Sequence, residues 1–89
     1  MGKVVVVAKV YPKGIDVDRK KLLLEVVQAL KGIAEVKKSE EEPIAFGLVA
    51  LRVHMILPED SEGGTDGLEE KISSLPDVSN VEVTHVYRI

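Results

Sequence analysis

Along residues 3–11, KVVVVAKVY, Val4, Val6, Ala8 and Val10 alternate with Val5, Val7 and Lys9, and Pro12 and Gly14 close the run. A β-branched segment with period two predicts a strand, one valine face opposed to another. The spacing then changes. Leu23, Val26, Val27, Leu30 and Ile33 recur at helical intervals, Asp16 or Asp18 is placed to cap the first free amides, and Gly32 offers a stop. An amphipathic helix over roughly residues 17–31 is expected. Residues 33–40 are weakly patterned and rich in charge, which predicts a second strand at a sheet edge, where charged side chains deter stray pairing.

Residues 46–57, FGLVALRVHMIL, show the strongest alternation. Val49, Leu51, Val53, Met55 and Leu57 form a core face, while Leu48, Ala50, Arg52, His54 and Ile56 form the other. PEDSEGGTDG carries turn signals throughout and predicts a loop. Asp66, followed three residues later by Glu69, resembles a capping box and opens a short helix in which Leu68, Ile72 and Leu75 share a face. Pro76 closes it. The last strand, residues 80–89, places Val81 and Val83 on one side, and its reach to Ile89 predicts a carboxy terminus held at a strand end. The order β-α-β-β-α-β is that of an α+β, ferredoxin-like sandwich: a four-stranded antiparallel sheet with two helices on one face and the other face open.

At 89 residues the chain is expected to form one domain with an economical core. Aromatics are only 3% of the residues, so aliphatic side chains must do the packing, and Phe46, Tyr11 and Tyr87 each need an explanation. The absence of cysteine removes disulfides, thiolate metal sites and cysteine nucleophiles, and makes a reducing, cytoplasmic setting the expectation. The run Val4 to Ala8 is too short for a secretory leader, and no apolar stretch is long enough to span a bilayer, so no membrane association is expected. A net charge of −3 argues against a general nucleic-acid binder. Gln28 and Asn80 are the only side-chain amides beside 30% charged residues, a composition that suits a heat-adapted protein.

Candidate chemistry is sparse. His54 and His85 lack metal-ligand spacing and read as surface or edge histidines. The acidic runs Glu40 to Glu42 and Glu59 to Glu62 fail the order of ligands in a calcium loop and read as solvated charge. EGGTDG lacks the lysine and hydroxyl of a phosphate loop, and Asp66 and Glu69 would repel an anion at the following helix start. No nucleophile has a recognisable setting, so neither an enzyme nor a resident cofactor is expected. Base stacking on the sheet is not expected either, because the central strands lack aromatic residues and Tyr11 and Tyr87 lie at strand ends.

Four segments together resemble one family across the whole chain: VVVVAKVYP, EEPIAFGLVAL, EGGTDGLEE and VEVTHVYRI. The resemblance is to archaeal translation elongation factor 1-beta, a stand-alone form of the guanine-nucleotide exchange domain, and PIAFGL is its most specific part. It implies a ferredoxin-like fold, elongation factor 1-alpha as partner and no covalent chemistry; a monomer is expected. By the same resemblance the aromatic of the FG turn packs into the GTPase, which assigns partner contact to Pro43, Ile44, Phe46 and Gly47. A basic residue one from the carboxy terminus reaches toward the magnesium and phosphate region; eukaryotic relatives carry lysine there, and this chain carries Arg88 followed by Ile89. A guanidinium can disturb a magnesium site without copying the geometry of lysine. The alternative from another class is a ligand-sensing or oligomerising ferredoxin-like module that uses the open, valine-bearing face.

Overall fold

The computed structural model describes residues 2–58 and 64–88. Its elements are β1 (Lys3–Pro12), α1 (Arg19–Ala29), β2 (Glu35–Pro43), β3 (Val49–Pro58), α2 (Gly64–Ser73) and β4 (Val78–Arg88). They build one four-stranded sheet in the order β2-β3-β1-β4, with every neighbouring pair antiparallel. Each helix carries the chain past an intervening strand, so β1 and β2 run parallel with β3 between them, and β3 and β4 do so with β1 between them. This is the expected ferredoxin-like arrangement.

The core lies between one sheet face and both helices. Val6, Ala8 and Val10 from β1 and Leu51, Val53, Met55 and Leu57 from β3 pack there against Leu22, Val26, Leu30, Leu68 and Ile72. Alternation made the strand contributions legible. The face of α1 differs from the expected one: its innermost line is Leu22, Val26 and Leu30, with Leu23 on the flank and Val27 exposed. Two neighbouring stripes fit the same 3.6-residue repeat, and only the docking of the helix chooses between them.

Asp18 caps α1. Its Oδ1 accepts from the backbone N–H of Lys20 at 2.9 Å and of Lys21 at 3.4 Å, satisfying amides that have no partner inside the helix. At the other end Gly32 takes φ +85°, a left-handed conformation natural to glycine, and the amides of Ile33 and Ala34 both reach the Leu30 carbonyl at 2.9 Å. Helix α2 is described from Gly64, which puts Asp66 inside its first turn; the side chain of Asp66, and with it the expected cap, lies outside the described residues, as do residues 59–63 of the loop. At the end of α2, ahead of Pro76, the hydroxyls of Ser73 and Ser74 donate to the carbonyls of Glu70 and Lys71.

Three strand boundaries differ from expectation. β2 continues to Pro43, so the acidic run Glu40 to Glu42 is inside a strand; β3 begins at Val49, so Phe46, Gly47 and Leu48 belong to the connecting turn. β4 begins at Val78, a buried residue, because the Lys13 amide donates to the Asp77 carbonyl at 2.9 Å and ties the start of β4 to the end of β1. Among the described residues no helix is long and apolar enough to cross a membrane.

Candidate functional site

The β2–β3 hairpin ends in a tight turn built from the residues that the sequence singles out. Pro43 closes β2, an edge strand, where its missing N–H costs no ladder bond. The Leu48 amide donates to the Ala45 carbonyl at 2.9 Å, which makes Phe46 and Gly47 the two central residues of the turn. Their φ angles are +53° and +81°, the sign pattern of a type I′ hairpin turn. The Ile44 amide, rather than that of Ala45, donates to the Leu48 carbonyl, so one extra residue bulges on that side.

Gly47 suits such a turn and Phe46 does not. A bulky L-residue at positive φ is a steric outlier, and Phe46 is the only non-glycine among the described residues to adopt one. Phe46 is also 97% exposed, with Ile44 exposed nearby. The fold therefore accepts both backbone strain and an unburied benzyl group at the same position. Strain of this kind points from structure toward function, since it persists only where the surroundings impose it.

The hairpin that holds the ring is braced on both faces. On the open face Glu42 accepts from Lys9 of β1 and from Arg52 of β3, the latter at 2.8 Å, while Glu40 Oε1 lies 2.8 Å from His54 Nε2. On the helix face Glu41 lies 3.2 Å from Arg19 Nε at the start of α1. The acidic run is thus a set of strand-borne contacts, ion pairs at Glu41 and Glu42 and a hydrogen bond between Glu40 and the His54 ring, and not the freely solvated charge expected from sequence. The pairing carboxylates alternate between faces, as period two requires, and each finds a basic group on a neighbouring element.

Protonation follows these contacts. The hydrogen bond from Lys9 holds the Glu42 carboxyl below its usual range, against partial desolvation, and the charges of Lys9 and Arg52 act in the same sense. The same bond raises Lys9. Glu40 is lowered first by its bond to His54, then by the charge of Lys38. Lys9 also stands 5.5 Å from the ring centroid of Tyr11, within cation–π range.

Arg88 lies elsewhere. In the β1–β4 ladder it faces Val4, whereas the Phe46 hairpin emerges beyond Val49, which faces Pro43 next to the far end of β1. From Val4 to Pro12, at about 3.3 Å per residue, the two halves are separated by about 26 Å. The structure brings Pro43, Ile44, Phe46 and Gly47 together and leaves Arg88 at the opposite end; Ile89 lies outside the described residues.

A bulge decides which way the end of β4 faces. Val83 pairs with Ala8 but His85 pairs with Val7, leaving Thr84 as the extra residue, its hydroxyl donating to the Val7 carbonyl at 3.1 Å. Beyond it the alternation is inverted. His85 and Tyr87 turn to the open face with Val7 and Val5, and Val86 and Arg88 to the helix side with Val6 and Val4. Strict period two from Val81 and Val83 would have given the reverse.

Sequence reasoning passed over Ile15. It sits in the β1–α1 loop, 64% exposed, with its Cγ2 3.5 Å from where a Cβ on Gly47 would stand. The available signal was an isoleucine between glycine and aspartate that no helical or strand period claims.

Comparison with known proteins agrees with the architecture. Residues 5–89 match the family described as the EF-1 guanine nucleotide exchange domain. The chain is 48% identical to elongation factor 1-beta of Methanothermobacter thermautotrophicus over 89 residues, covering 100% of this chain and 99% of that protein. It is 45% identical to elongation factor 1-beta of Staphylothermus marinus and 47% identical to that of Methanobrevibacter smithii, again covering 100% of this chain and 99% of each relative. The C-terminal domain of the MgtC protein from Mycobacterium tuberculosis superposes with a TM-score of 0.61 at 17% identity, covering 100% of this chain and 88% of that one, a likeness of fold alone. With a full-length match in sequence and a βαββαβ sheet to carry it, this chain belongs to the EF-1 guanine nucleotide exchange domain family.

Proposed function

We propose that this protein is a single-domain, monomeric guanine-nucleotide exchange factor that promotes GDP release and GTP reloading of elongation factor 1-alpha in the cytoplasm during translation elongation. The observation that carries the reading is Phe46, 97% exposed on a backbone at φ +53°, in a family whose members exchange guanine nucleotide. A ring presented at this double cost is suited to a pocket on another protein.

Exchange requires no covalent chemistry from the factor. If it binds the nucleotide-free GTPase more tightly than the nucleotide-bound form, nucleotide weakens the factor by the same ratio, and a coupling of about 3 kcal/mol corresponds to about 150-fold. Phe46, with Pro43, Ile44 and Gly47, supplies an anchor at one end of the sheet. Arg88, followed by Ile89, supplies a cation at the other, directed at the magnesium and phosphate region of the partner's nucleotide. A magnesium ion neutralises those phosphates, so displacing it weakens the hold on GDP. Since the strand levels that carry the two groups are about 26 Å apart along β1, with the hairpin extending beyond, the partner must meet both ends of the sheet, anchored at one and perturbed at the other.

The open face does less for an assembly module. Val7 and Ala50 are already buried there, and the ion pairs of Glu42 with Lys9 and Arg52, with the Glu40–His54 hydrogen bond, cross its β1, β3 and β2 portion. The test is the release of fluorescent GDP from loaded elongation factor 1-alpha. The wild-type protein accelerates it, and Phe46→Ala and, separately, removal of Arg88 and Ile89 each slow that acceleration. An off-rate indifferent to the wild-type protein overturns the function; full acceleration by both variants overturns the site.

A further inference from the structure

We propose that Ile15 is a second apolar contact of the docking tip, covered by the same GTPase surface that receives Phe46; this rests on the exchange-factor reading above. Two segments distant in sequence bring three exposed apolar side chains to one end of the molecule: Ile15 from the β1–α1 loop, and Ile44 and Phe46 from the hairpin. The other large exposed apolar residues among those described lie on α1 (Leu24, Val27) or near the end of β4 (Val86, Tyr87).

Within its own loop Ile15 is the apolar side chain that the core does not take. Val17, two residues on, packs against the core, whereas Ile15 remains 64% exposed. It lies beside the turn instead, its Cγ2 3.5 Å from where a Cβ would stand if one were added to Gly47, the residue after Phe46. The loop is also held in place. Asp18 caps α1, and the Arg19–Glu41 ion pair at 3.2 Å links the start of the helix that follows Ile15 to β2, the strand that leads into the hairpin. A preorganised contact loses little entropy on docking.

The chemistry of the occupant follows from what the cluster lacks. Ile15, Ile44 and Phe46 carry no charge; of the charged groups around them Glu41 pairs with Arg19 and Glu42 with Lys9 and Arg52, while Lys13 and Asp16 flank Ile15 on the exposed loop. An apolar pocket on the GTPase, continuous with the one that takes the ring, gains from covering this surface, and a charged groove does not.

The test titrates Ile15→Asp, Ile15→Val and Phe46→Ala into elongation factor 1-alpha loaded with fluorescent GDP, with the unfolding midpoint of each variant measured in parallel. Ile15→Asp is expected to raise the half-saturating concentration about tenfold while leaving the rate at saturation and the midpoint unchanged, and Ile15→Val to stay within about twofold of wild type. If Ile15→Asp titrates like wild type while Phe46→Ala does not, the Ile15 contact is wrong and the exchange reading stands. If Ile15→Asp lowers both the midpoint and the saturating rate, Ile15 is a structural residue and the docking role falls. If neither variant shifts the titration, the docking tip itself is wrong, and Ile15 falls with it.

Discussion

Replacing Phe46 with glycine should stabilise the fold and damage its function at the same time. The ring is 97% exposed, so its removal uncovers no core, and the backbone at φ +53° is a conformation that glycine adopts freely. An L-residue held in the left-handed region costs roughly 1–2 kcal/mol, and the extra freedom of glycine in the unfolded chain offsets about 0.5–1 kcal/mol of the relief. The net expectation is a gain of up to about 1.5 kcal/mol. For a chain of this size that corresponds to a rise of up to about 12 °C in the thermal midpoint. Phe46→Ala keeps the positive φ and loses only the ring, so its midpoint should stay close to wild type. Burying a phenylalanine in a partner contributes about 1.5–3 kcal/mol, so both variants should bind elongation factor 1-alpha about 10- to 150-fold more weakly. Calorimetry of the isolated protein and titration against the GTPase read the two effects independently. A midpoint that falls in Phe46→Gly shows that the ring supports the hairpin, and undiminished binding in both variants shows that its exposure serves no partner.

Two further perturbations probe the scaffold. Glu42 has a folded pKa below its ordinary value of 4.5, so its contribution to stability is present above 4.5 and lost as pH falls through the lower folded value; Lys9, raised above 10.5, contributes below 10.5 and loses its share as pH rises through its folded value. The difference in midpoint between wild type and Glu42→Gln should accordingly be flat between those limits and shrink in acid; a difference that persists undiminished at about pH 2 contradicts the Lys9–Glu42 assignment. Asp18→Ala removes the cap of α1 and should cost about 1 kcal/mol, read by urea unfolding, with Asp18→Asn retaining most of it; equal losses in both would mean that the charge of Asp18 matters and the cap does not.

Some features of this protein are local enough to be read along the chain. Alternation in β3 identifies Leu51, Val53, Met55 and Leu57 as core because side chains on a strand must point alternately to its two faces. Asp18 and Gly32 mark the ends of α1 because unpaired amides and left-handed backbone have few chemical solutions. The order of elements, the ferredoxin-like sheet and the oddity of a lone phenylalanine before a glycine follow from the same one-dimensional patterns. Tertiary structure decided the rest, because it depends on what lies opposite. Leu22 rather than Leu23 faces the sheet through the angle at which α1 docks, and Glu40, Glu41 and Glu42 find their basic partners only when β3, β1 and α1 bring those groups beside them. The bulge at Thr84 turns Arg88 to the helix side of the sheet, and antiparallel pairing sets it at the opposite end of the sheet from the Phe46 hairpin, since a strand's neighbour and register come from packing against other strands and not from its own alternation.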